Sequence, residues 1–400
     1  MMPDQQNNKG WLGVHPDVWR LGVVSFLTDV SSEAVFSVFS IFFTVILGAS
    51  AALLGVVEGF ADFSASSLDY VSGWLSDRSG KRKSLALLGY GFSALAKVML
   101  VFAQSVAALA SFRIVERLGK SFRGAPRDAW LGAVADKPVR GYSFGVHNAL
   151  DKAGAVLGPL LAYALLAWLG QTMYAFRILF ADAVVFAIAA VVVLAFVKER
   201  PGTSRERENI FKAWRTLDPR FKRYLIPAGI FSLAYFSFGF LLLRAYALGF
   251  TISDVVLLYA LFNAAFVAAS VPVGKLGDRI GRKYIIMLGY ATYIAMSLGF
   301  IFASQKWEVI ALFILFGIFY SIDEAQNKAF ITDMEGERRA SAIGLYNFTT
   351  GLVYLPASVI AGFLWAFHPT YAFGFAAAIT FIALIVFTSL RFDAAIKGTE

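Results

Sequence analysis

Two stretches decide how this chain is read: GWLSDRSGKRK at 73–83 and GKLGDRIGRKY at 274–284. Gly73, Asp77, Gly80 and Lys83 of the first fall 201 residues ahead of Gly274, Asp278, Gly281 and Tyr284 of the second. Each stretch follows an apolar run long enough to cross a hydrocarbon core of about 30 Å, for which about 20 residues suffice. Each position has a physical reading. The first glycine lets two helices approach closely, and the second opens a tight turn. The aspartate can cap the next helix or pair with a neighbour. The cations, among them Arg78, Arg82, Arg279 and Arg282, hold the loop at a membrane surface. A loop that is basic by chance would not recur at the matching place half a chain later, so the repeat reads as an internal duplication.

The rest of the chain agrees with a membrane reading. Of its 400 residues 58% are hydrophobic and 16% charged, with a mean hydropathy of +0.66. A soluble domain has roughly 45–50% apolar and 25% charged residues, so a water-soluble fold is excluded. Apolar spans are predicted at 19–46, 51–75, 84–103, 106–124, 140–167, 173–197, 221–247, 252–274, 284–303, 308–331, 340–366 and 371–391. The first is too long for the apolar region of a signal peptide and lacks a small-residue cleavage site, so it is expected to stay in the mature protein. Cysteine is absent, which excludes disulfides and thiolate metal sites.

The net charge of +9 is distributed by loop. Segments 47–51, 104–106, 168–172 and 248–251 carry no Lys or Arg, whereas 78–83, 123–140, 198–223, 275–283 and 338–339 are basic. That alternation fits the positive-inside rule with both termini cytoplasmic in a bacterial inner membrane, and it replaces nucleic acid as the explanation of the charge. The polar stretch 198–220 is expected to be a cytoplasmic linker between an N-terminal bundle, 1–197, and a C-terminal bundle, 221–400. The expected fold is an all-α membrane protein of twelve transmembrane helices in two pseudo-symmetric six-helix bundles, the pattern of a secondary carrier.

With these motifs in place, the chain resembles the major facilitator superfamily over essentially its whole length. The resemblance implies that Asp77, Asp278 and their basic neighbours gate a conformational switch. SFLTDVSSE (25–33), ERLGKSFRGAPRDA (116–129) and FGVHNALDKAGAVLGPLLA (144–162) are similar to a bacterial, drug-efflux-like branch. Arg113 occupies the position of the family's proton-coupling arginine, although Arg117 stands where many drug exporters have glycine. Gly154-x-x-x-Gly158-Pro159 is similar to the family's antiporter motif, which favours export.

Charges at bilayer depth are costly and face a cavity or a partner. Asp29 and Glu33 lie four apart in the first span, as do Glu58 and Asp62 in the second. Arg113, Glu116 and Arg117 lie in the fourth span, and His147 and Asp151 in the fifth. Arg244 lies in the seventh, and Asp323 and Glu324 in the tenth. These are the candidates for proton coupling and substrate contact, against the plainer reading that acids such as Asp29, Glu58 and Asp62 tie helices together through Arg113 or Arg117. His147 reads as a helix contact or as a proton relay. No phosphate-binding loop, metal-ligand spacing or catalytic constellation occurs, so no ATPase activity, cofactor, metal or enzyme chemistry is expected. The leading expectation is proton-coupled export of a small organic compound by alternating access, carried out by a monomer in contact with membrane lipids. The alternative is transport of an anionic metabolite or metal–chelate complex.

Overall fold

The computed structural model describes residues 14–79, 81–134, 140–197, 214–335 and 339–392. They form helices α1 (Pro16–Ile41), α2 (Ala51–Ser79), α3 (Arg82–Val101), α4 (Val106–Val134), α5 (Arg140–Leu169) and α6 (Met173–Ala195). After 198–213, which lie outside the described residues, come α7 (Pro219–Ala234), α8 (Gly239–Ala247), α9 (Ile252–Ile280), α10 (Arg282–Phe302), α11 (Lys306–Glu335), α12 (Arg339–Phe367) and α13 (Pro369–Ser389). Helices α7 and α8 are the two pieces of one span, so among the described residues these helices make the twelve expected crossings. Helices α1, α7 and α13 start with a proline at their first position behind a polar cap, His15, Asp218 or His368. There proline costs no hydrogen bond and its φ is already helical.

Ten of the spans are long and apolar enough to cross a membrane on composition alone. The other two are α4 and α11, which carry Arg113, Glu116, Arg117 and Asp323, Glu324, Lys328. Both are the fourth span of their half.

The duplication is visible in the helix starts: Ala51 and Ile252 for α2 and α9, Arg82 and Arg282 for α3 and α10, Val106 and Lys306 for α4 and α11. It reaches the backbone as well. Gly48 and Gly249, which close the first and seventh spans, have φ of +73° and +89°. Gly281 turns α9 into α10 at φ +98°, as expected of the second motif glycine.

The chain divides into two compact units. Met1–Ala49, Phe60–Arg207 and Ala245–Asn263 form the first; Ser50–Gly59, Glu208–Arg244 and Ala264–Glu400 form the second. In the first, Val18, Leu21, Tyr90, Trp130 and Leu131 form an apolar core, and α1 packs directly on α5. A Cβ at Gly158 would stand 2.5 Å from the Val30 carbonyl oxygen, and one at Gly154 would meet that of Phe26. Backbone contact of this kind is how helices associate in lipid, and Pro159 follows within the same helix. In the second unit, rings dominate. Tyr224, Phe231, Tyr290, Tyr293, Phe319 and Phe387 contact one another edge-on or tilted, with centroids as close as 4.7 Å.

One detail of the motif differs from expectation, and another is decided between two alternatives. Close helix approach falls at Gly277, where Gln326 of α11 fills the space a side chain would need, whereas a Cβ at Gly274 would meet nothing. Asp278 does not cap α10. It pairs with Arg282 at 3.0 Å, and Arg282 also bonds Asp333 of α11. Gly80, the surroundings of Gly73 and the side chain of Asp77 in the first copy lie outside the described residues.

Candidate functional site

The densest buried charge in the first unit lies along α4. Glycines Gly89 and Gly119 face each other across α3 and α4, where a Cβ on Gly89 would sit 2.7 Å from the Gly119 carbonyl oxygen. This close approach brings Lys97 of α3 inside. Lys97 is 0% exposed and its Nζ donates to Ser32 Oγ at 2.9 Å; Ser32 in turn donates to Glu116 Oε1 at 3.4 Å. Glu116 is itself 0% exposed, and its Oε2 accepts no hydrogen bond among the described residues while facing Arg113 Nη1 at 4.0 Å. The Arg113 guanidinium lies 4.3 Å above the Phe36 ring, a desolvated cation–π contact.

One turn along, Arg117 pairs with Asp62 at 3.0 Å, both side chains about a quarter exposed. The α2–α4 contact that aligns them is polar and internal: Ser72 donates to the Ser121 carbonyl at 2.7 Å, and Ser121 to that of Ala65 at 2.9 Å. Further along α4, Arg127 donates to Ser25 at 3.2 Å and faces Asp151 of α5 at 3.6 Å. Ser25 also contacts His147 Nε2 at 3.0 Å, so His147 belongs to a polar bridge joining α1, α4 and α5. Glu33 accepts a short hydrogen bond from Tyr259 of α9. Asp29 is half-buried within electrostatic reach of Asp151, Glu33, Lys120 and Lys152.

The structure thus gathers Asp29, Glu33, Asp62, Arg113, Glu116, Arg117, His147 and Asp151 in one unit. Glu58 falls in the second unit and is buried beside Gly59, where a Cβ would meet the Leu355 backbone of α12. Lys97 is the residue that sequence reasoning passed over, although a lone lysine in an apolar span is itself a signal.

In the second unit Arg244 donates to the Phe300 carbonyl at 3.1 Å. Asp323 accepts from Asn327 at 2.7 Å, and Asn327 accepts from Tyr224 at 2.7 Å. Glu324, one residue on, points away and pairs with Lys328 at 2.9 Å on an exposed face. Among the described residues no group of three or more His, Asp or Glu side chains is placed to hold a metal ion.

Ionisable side chains held inside a multi-pass membrane fold mark substrate, ion or proton pathways, as in membrane transporters. The family model of the Major Facilitator Superfamily matches residues 21–247 and 228–398. An uncharacterised MFS-type transporter of Methanocaldococcus jannaschii is 34% identical over 392 residues, covering 96% of this chain and 97% of the relative. A probable sulfoacetate transporter of Cupriavidus necator is 25% identical, with 80% of each chain covered. Among solved structures, the nucleoside transporter NupG is similar in fold, with a TM-score of 0.75 at 13% identity, over 94% of this chain and 99% of that one. The chain belongs to the major facilitator superfamily.

Proposed function

We propose that the protein is a proton-coupled exporter of a small organic compound, working by alternating access. The observation that carries this reading is the Asp62–Arg117 pair, held at 3.0 Å between α2 and α4 and still partly open to water. A proton on Asp62 cancels the attraction and frees Arg117 to take another partner. Glu116, walled in by Lys97 and Arg113, keeps α4 seated while that exchange happens. The Gly154–Gly158–Pro159 packing of α5 on α1 supports export, through its similarity to the antiporter motif. Residues 198–220 serve as the linker between the halves, both termini lie in the cytoplasm of a bacterial cell, and the working unit is a monomer.

A second reading is transport of an anion, favoured by the relative described as a probable sulfoacetate transporter. Against it, Arg117 and Arg127 each face an acid of their own unit, and Arg244 a carbonyl. Proteoliposomes holding a trapped pH dye separate the readings when challenged with a metabolite panel that includes sulfoacetate. An organic solute that alkalinises or acidifies the lumen in the wild type and not in Asp62→Asn supports the first. Indifference to an imposed pH gradient, or full gradient-driven activity in both Asp62→Asn and Arg117→Ala, would sink it.

A further inference from the structure

The seventh span is interrupted. Helix α7 ends at Ala234, residues 235–238 are not helical, and α8 resumes at Gly239. A helix broken at membrane depth leaves carbonyls without their usual partners and is tolerated only where something else satisfies them. Tyr293 of α10 donates its hydroxyl to the Ala234 carbonyl at 3.0 Å, and Ser358 of α12 accepts from the Ser237 backbone N–H at 3.2 Å. The end of α7 therefore presents the negative pole of a helix dipole to its surroundings.

Those surroundings are aromatic. The Tyr235 ring lies 5.4 Å from Tyr354, 5.9 Å from Tyr293 and 6.0 Å from Phe319, with Phe231 at 5.9 Å on the preceding turn. Asp323, near the middle of α11, lies within electrostatic reach of Tyr235 and Tyr293. Its hydrogen bond comes from a neutral amide, Asn327, and it ion-pairs with no cation among the described residues. Tyr235, Tyr354 and Asp323 are all half-buried, so each keeps part of its surface accessible. An ionisable side chain at bilayer depth is expensive, and one without an ion pair marks a substrate, ion or proton pathway.

We propose that the second unit binds an organic cation, a solute bearing a quaternary or protonated ammonium group, at the break in the seventh span. Asp323 supplies the counter-charge, the half-buried rings of Tyr235 and Tyr354 supply cation–π contact, and the C-terminal pole of α7 adds to the negative potential. The assignment rests on the transporter reading above and names its cargo class.

The test uses the full chain purified in detergent, with choline as the probe and, as control, its uncharged isostere in which a tert-butyl group replaces trimethylammonium. Calorimetric titration is expected to show choline binding about tenfold or more tighter than the isostere. Asp323→Asn removes that preference and leaves isostere binding unchanged; Tyr235→Phe keeps choline affinity and Tyr235→Leu loses it. If Asp323→Asn does not fold, the two Tyr235 variants decide. Equal binding of choline and isostere, an unaltered choline affinity in Asp323→Asn, or binding of sulfoacetate with none of choline overturns the proposal. Binding is read without any gradient. A chain that binds choline but ignores a pH gradient loses the proton coupling and keeps this site; one driven by the gradient that prefers sulfoacetate does the opposite.

Discussion

Helices α4 and α11 hold equivalent places in the two halves, and both carry charged side chains within their spans. They handle charge in opposite ways. On α4 the cations meet acids or hydroxyls of the same unit, so Arg117 finds Asp62, and Glu116 is approached by Arg113 and, through Ser32, by Lys97. On α11 Asp323 sits among tyrosines and an asparagine, while Glu324 and Lys328 neutralise each other on the outside. The first arrangement sets acid against cation within the unit, and it is there that a proton is proposed to act. The second sets a carboxyl beside rings, the place proposed above for an organic cation. Duplication supplied two copies of one helix, and divergence gave their charges different partners.

The contrast can be broken most directly at Lys97. Lys97→Met takes one cation from a fully buried network, and thermal unfolding in detergent is expected to register a loss of about 3–5 kcal/mol, with partial recovery in Lys97→Met/Glu116→Gln. A wild-type midpoint in the single variant would remove the structural role of the network. Next in size is Gly158→Val, which pushes α5 off the α1 backbone and is expected to cost about 1–3 kcal/mol by the same measurement. In the second unit, Tyr293→Phe removes the hydroxyl that serves the Ala234 carbonyl, for about 1 kcal/mol; a larger loss would mean that the break depends on this one bond.

The smallest effect belongs to Asp218, the cap of α7. Hydrogen bonds from Arg220 hold its carboxyl below the usual carboxylate range. A carboxyl lowered in the folded state adds stability that is present above the unfolded value, about pH 4, and lost as pH falls through the folded one. Asp218→Asn keeps the cap and removes the charge. It should cost less than about 1 kcal/mol at neutral pH and flatten the acid limb of a stability–pH curve.

Much of the fold was legible because apolar run length and loop charge report directly on the membrane, and because the motif at 274–284 repeats that at 73–83. Pairing was less so. Charges on one helix can be assigned to a face by spacing, but a one-residue step turns the helix by about 100°, which is why Asp323 and its neighbour Glu324 point to different surroundings. Arg113 and Glu116, three apart on one helix, were legible as neighbours, whereas the reach of Lys97 to Ser32 depends on α3 and α4 closing on Gly89 and Gly119. The break at 235–238 left almost no trace, since Tyr-Phe-Ser-Phe inside an apolar run reads as continuous helix. Its support comes from Tyr293 and Ser358, far away in the chain.

The bends at Gly48 and Gly249 follow another logic. Neither glycine is short of room, for a Cβ at either would touch nothing within 4 Å. What bars a side chain there is chirality, since a positive φ sets an L-residue's Cβ against its own carbonyl at a cost of roughly 1–2 kcal/mol. A mirror-image alanine would meet no such penalty. Both halves have therefore kept the same handed corner, a constraint of stereochemistry rather than of packing, at the point where each first span turns back toward the membrane.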